Sequence, residues 1–130
     1  MKKHQRVKQA FNSLIQDIPI SEQYLLLMIS NQTKGRNVLR FEGKINIDAG
    51  DYKDFTKDVV SNAEVNSVIQ GLSSRFLDLS DNENWHLIPL IQEAGSLKDK
   101  NKVFISFNQN IIACLPDIES TLAYTLGVTG

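Results

Sequence analysis

The stretch Val38-Leu39-Arg40-Phe41-Glu42-Gly43-Lys44-Ile45-Asn46-Ile47-Asp48 alternates almost without error. Leu39, Phe41, Ile45 and Ile47 fall on one face, with Gly43 in the same row, and Arg40, Glu42, Lys44, Asn46 and Asp48 fall on the other. Successive side chains of a strand point to opposite sides, so the spacing predicts a long strand with one dry and one wet face. Half-wet strands belong to antiparallel sheets covered on one side only, which serve as platforms more often than as catalytic cradles.

The flanking sequence supplies the rest of the predicted order. Val7, Phe11, Leu14, Ile15 and Ile18 recur at helical spacing and predict an amphipathic helix from about residue 3 to 17, ended by Pro19. The apolar block Tyr24 to Ile29 reads as a buried strand, folded back on 38–48 through a Thr33-Lys34-Gly35-Arg36-Asn37 loop. A helix is the alternative there, because Ser21 can cap it and Leu and Met are good helix formers. After Gly50 the period turns helical: Tyr52, Phe55, Val59 and Ala63 form one stripe, and Val65, Val68, Ile69, Leu72 and Phe76 continue it. Ser61 and Glu64 have capping-box spacing at the phase shift between the stripes and predict a break. Ser80 and Glu83 repeat that signal before Trp85, Leu87, Ile88, Leu90 and Ile91, with Gly95 as a stop, while Pro89 is awkward inside a helix and argues for an extended entry or a short, bent element. Val103, Ile105 and Phe107 then alternate, Asn108-Gln109-Asn110 offers a turn, and Ile111 to Leu115 returns as the second arm of a hairpin. Asp117 after Pro116 is the expected N-cap of a last helix through Leu126, closed by Gly127.

The expected architecture is therefore α+β, in the order α-β-β-α-α-β-β-α. Two hairpins join into a four-stranded antiparallel sheet with helices packed on one face, in a single domain spanning 1–130. A chain of 130 residues buries about two thirds of its unfolded surface. With 42% hydrophobic and 22% charged residues its composition is that of a globular protein. One cysteine excludes an internal disulfide framework and any zinc site that needs two thiolates from this chain. Tyr24 to Ile29 is the longest apolar run, far short of the roughly 20 residues of a membrane span, and no signal peptide is read at the N-terminus. A cytoplasmic location, away from membranes, is the expectation.

No motif names a reaction. His4 and His86 are the only histidines and Cys114 the only thiol, set in an apolar run where a buried core cysteine is expected. No Gly-x-Ser-x-Gly elbow, dinucleotide turn or phosphate loop is present. The acidic run Asp48, Asp51, Asp54 and Asp58 fails as a calcium loop, with Lys53 where glycine is required and Val59 where glutamate is required. Carboxylates in a first helical turn are favoured by the dipole in any case, so no metal site is assigned. Asn31-Gln32-Thr33 is taken as a chance glycosylation match. Neither a cofactor nor a catalytic residue is expected, and a metal-dependent enzyme built on the acidic run ranks last.

Two binding readings are left. The net charge of −1 hides an asymmetry: residues 1–44 carry eight Lys/Arg against three Asp/Glu, and residues 45–130 carry six against twelve. The first reading is a non-catalytic protein-protein module of inhibitor, immunity or adaptor type. Its wet strand face, with Arg40, Glu42 and Lys44, and Arg36 of the preceding loop would meet an acidic partner surface, with Trp85 as an anchor. Edge strands of the sheet could also pair two copies into a homodimer. The alternative is a nucleic-acid-binding accessory protein that grips phosphates through Lys2, Lys3, Arg6, Lys8 and Lys34 of the basic N-terminal third. That reading predicts binding that weakens steeply with salt.

Overall fold

The computed structural model describes residues 3–33, 44–57, 65–96, 102–112 and 114–127. Helix α1 (Lys3–Asp17) forms as its periodicity predicts, with Val7, Phe11, Ile15 and Ile18 buried. Helix α2 (Ile20–Thr33) follows directly, and this corrects the strand expected at Tyr24 to Ile29. Every residue from Glu22 to Ser30 is buried, so this helix has no wet face and shows no 3.6-residue period. The Pro19 carbonyl starts it by accepting from the Glu22 and Gln23 amides at 3.0 and 3.1 Å. Gln23 Nε2 donates to the carbonyls of Ile15 and Ile18, at 2.8 and 3.2 Å, satisfying the open end of α1.

Strand β1 (Lys44–Asp48) keeps the alternation that opened the sequence reading, with Ile45 and Ile47 buried and Asn46 exposed. Its expected beginning at 38–43 and the loop before it lie outside the described residues. Asp48 caps helix α3 (Ala49–Thr56), its Oδ1 accepting from Gly50 N at 2.7 Å. Lys57 ends that helix with φ of 49°, and helix α4 (Val65–Ser73) is separate from it. Ser61 and Glu64, the signal for a break, lie outside the described residues.

The helix expected between Ser80 and Gly95 is absent. Strand β2 (Phe76–Asp78) precedes this region, and strands β3 (Leu87–Pro89) and β4 (Ile91–Ser96) occupy it. Asp81 Oδ1 accepts from the amides of Glu83 and Asn84 at 2.9 and 2.7 Å, and Ser80 Oγ accepts from His86 N at 2.9 Å. These are turn bonds made by the same residue types that cap helices, which is why the capping spacing misled. Pro89 sits at the end of a two-stranded ribbon, where a missing donor is tolerated.

Strand β5 (Lys102–Phe107) forms as expected, but Ile111 to Leu115 does not return beside it. Asn108 instead starts the short helix α5 (Gln109–Ile112), its carbonyl accepting from Ile111 N at 2.9 Å. Helix α6 (Leu115–Leu126) takes Cys114 rather than Asp117 as its N-cap, and Gly127 closes it at φ of 69° as predicted.

The protein is α+β, and among the described residues all strand pairing is antiparallel and forms two sheets rather than one of four strands. One has three strands in the order β1-β5-β4; the other is the β2-β3 ribbon. Ile45 pairs with Ile105 and Ile47 with Val103, while the β4-β5 register shifts between Ile91 and Glu93. The side chains of β1 and β5 share one hydrophobic core with α2, whose main neighbour is α6.

Candidate nucleic-acid interface

Helix α4 divides cleanly. Val65, Val68, Ile69 and Leu72 are buried against α2 and β4, whereas Asn66, Ser67, Gln70 and Ser73 are exposed, followed by exposed Ser74. The wet face therefore carries amides and hydroxyls and no charge. Ser73 and Ser74 donate to the carbonyls of Ile69 and Gly71, at 2.8 and 2.7 Å. Among the described residues, the side chains of Asn66 and Gln70 make no hydrogen bond within the protein.

Two contacts fix this helix. Gly71 faces α2 so closely that a Cβ there would lie 2.8 Å from Glu22 Oε2. Arg75, just past the helix, donates from Nε and Nη2 to the two carboxylate oxygens of Glu22 at 3.1 and 3.0 Å. Glu22 is buried, and the pairing makes the Arg75 guanidinium still harder to deprotonate.

The β4-β5 hairpin stands beside the exposed face. A groove of about 380 Å³ separates them, lined by Asn66, Gln70 and Ser73 from the helix and Ala94, Gly95 and Ser96 from the strand. Gly95 leaves room for the Phe104 ring across the hairpin, which a Cβ would meet at 2.8 Å. Lys102 is exposed at the start of β5, and the sequence joining the strands includes Lys98 and Lys100. A neutral hydrogen-bonding helix face beside a hairpin with lysines can read a polar surface and hold a negatively charged one.

Residues 2–127 match the family described as Initiator Replication protein, WH1. The chain belongs to this family. The solved MSBI1.176 WH1 domain, described as a replication protein isolated from a multiple sclerosis patient, has the same fold, with a TM-score of 0.58. It is 15% identical, over 88% of this chain and 93% of that one, which shows likeness of fold alone. No curated protein matches the chain.

Membership of the initiator WH1 family corrects the functional expectation. An inhibitor, immunity or adaptor module defined by protein binding is overturned, and nucleic acid takes the place of an acidic protein as the partner. In this WH1 chain the residues singled out for either reading are described only in part. Arg36, Arg40, Glu42, Lys2 and Lys34 lie outside the described residues; Lys3 begins α1 and Lys44 begins β1. The Arg6 guanidinium donates to the Leu79 carbonyl, and Lys8 pairs with Asp117 at 3.8 Å, so both are engaged within the protein. Trp85, expected at an interface centre, is 83% exposed in the turn between β2 and β3. Asp51 and Asp54 are exposed on α3, and Cys114 is buried. Among the described residues no group of three or more His, Cys, Asp or Glu is placed to hold a metal, and no helix is long and apolar enough to cross a membrane.

The exposed face of α4 was the feature that sequence reading passed over. Its signal was present as Asn66-Ser67 and Gln70 between the apolar positions of a helical stripe.

Proposed function

We propose that this chain binds duplex DNA at a replication origin, laying α4 in the major groove and resting the β4-β5 hairpin on the flanking backbone. The carrying observation is the exposed α4 face, Asn66, Ser67, Gln70 and Ser73, set against a hairpin with lysines in a chain of the initiator family. The major groove admits one α-helix and displays donors and acceptors that distinguish all four base pairs. Neutral amides suit that surface, because they carry sequence information without the indiscriminate pull that cations exert on phosphates.

In this reading the division of labour follows the chemistry. Asn66 and Gln70 face base edges, whereas Lys102 at the start of β5 meets phosphate and makes affinity fall as salt rises. The contribution of the chain is recognition; no bond is made or broken by it. The test is fluorescence anisotropy of duplexes from the cognate origin and of scrambled duplexes across a salt series. Tight binding to origin duplex that survives scrambled competitor supports the reading. Equal, weak binding to both sequences overturns it. A double substitution, Asn66→Ala with Gln70→Ala, is expected to erase the preference for origin DNA without lowering the thermal midpoint, since both side chains are exposed.

A further inference from the structure

We infer that α4 reads adenine, with Asn66 and Gln70 each addressing one A·T pair; this rests on the DNA-binding role proposed above. A carboxamide offers one acceptor and two donors on a single plane. The major-groove edge of adenine offers the complement, an N7 acceptor and an N6 amino donor, so one Asn or Gln side chain closes two hydrogen bonds with it. Guanine presents two acceptors on that edge and calls for the paired donors of Arg or for Lys. The exposed residues of α4 include neither.

Position supports the same assignment. Asn66 and Gln70 are four residues apart, on one face of the helix and about 6 Å apart along its axis. Base pairs rise about 3.4 Å, so the two amides are spaced for pairs within two steps of each other. Two of the three hydroxyls on this stretch, those of Ser73 and Ser74, donate back to the helix backbone, and Ser67 offers a single hydroxyl that cannot make the paired bonds of a carboxamide. Neither amide is held by the described protein around it, which leaves the full donor and acceptor set available to a ligand. Both line the groove facing Ala94, and the thymine partner of each adenine carries a methyl group that alanine contacts well.

The experiment is selection of bound duplexes from a randomised library by the complete protein and by two variants, followed by affinity measurement on the selected sites. The unsubstituted protein is expected to enrich two A·T pairs within two steps. Asn66→Ala should lose discrimination at one of them by about 5- to 150-fold, with binding to scrambled DNA and the salt dependence unchanged. Gln70→Arg should move the preference at the other from adenine to guanine. If sites are enriched but Gln70→Arg selects the same bases as the parent, the adenine assignment falls while DNA recognition stands. If the parent protein enriches no sequence at all, both fall together.

Discussion

Arg75 and Glu22 meet through two parallel hydrogen bonds, Nε to Oε1 at 3.1 Å and Nη2 to Oε2 at 3.0 Å. The carboxylate belongs to the first turn of α2, and the guanidinium stands where α4 gives way to β2. The side chain of Glu22 is 6% exposed and that of Arg75 34% exposed, so only the arginine keeps substantial contact with water. Arg75→Ala therefore strands a buried carboxylate and should cost about 3 kcal/mol, the low end for a broken buried pair. Arg75→Lys retains charge but gives up the two-pronged geometry, and about half that loss is expected. Urea unfolding measures both, and a loss below about 0.5 kcal/mol for the alanine variant would contradict the assignment.

Gly71 tests how closely α2 and α4 approach. Replacing glycine by alanine inside a helix ordinarily stabilises by about 1 kcal/mol. Here the new methyl would meet Glu22 Oε2 at 2.8 Å and push the carboxylate off Arg75. Gly71→Ala should destabilise by about 1–2 kcal/mol, opposite in sign to the propensity scale. A stabilised Gly71→Ala protein in thermal melts would show that the two helices have room to spare.

Tyr52 gives the fold an alkaline limit. Its hydroxyl donates to the Ser21 carbonyl at 2.8 Å, and its pKa is pushed up to about 12 from 10.0, first by burial and then by the nearby Glu22 charge. The folded protein thus holds the phenol proton where the unfolded chain releases it. Stability is expected to be fully present below pH 10.0 and to fall as pH rises toward about 12. Tyr52→Phe should lose about 1 kcal/mol at neutral pH through the missing hydrogen bond, and its stability should be flatter in that window. Denaturant midpoints from about pH 9 to about pH 11 decide the matter.

Cys114 should be inert in the folded state. Burial first, and the Asp117 charge second, push its thiol pKa upward, with Lys8 opposing them. Only thiolate reacts with alkylating agents. Iodoacetamide labelling of the native protein is expected to be slower than that of the unfolded chain by roughly 100-fold or more, the rate being set by opening of the fold. Rapid native labelling would mean that the start of α6 is open to solvent.

Sequence alone made the α+β class legible, because α1, β1, β5 and the Gly127 stop each rest on a local signal. Alternation at 44–48 and the αL glycine need no knowledge of neighbours. At α2 the strand was favoured over the helix alternative for the converse reason: with Glu22 to Ser30 buried on all sides, nothing in the order of residues reports a period. The ribbon at 76–89 was missed because Ser80 and Asp81 bond to turn amides in the way capping residues bond to helix amides. The candidate site was hidden more deeply. The basic residues stand out in the N-terminal third, yet Arg6 and Lys8 are tied to Leu79 and Asp117, and the exposed face of α4 carries no charge.

The Leu90 amide donates to the Arg75 carbonyl at 3.0 Å, so the chain leaves for the β2-β3 ribbon and comes back at one point. Residues 76–89 are a detour whose two ends nearly touch. Helix α4 and strand β4 consequently meet as if the chain ran straight from one to the other. Lengthening, shortening or exchanging the tip of this detour changes a surface without altering the distance between α4 and the β4-β5 hairpin. The fold has in this way a socket into which unrelated sequence can be grafted while the packing of α4 against β4 is preserved.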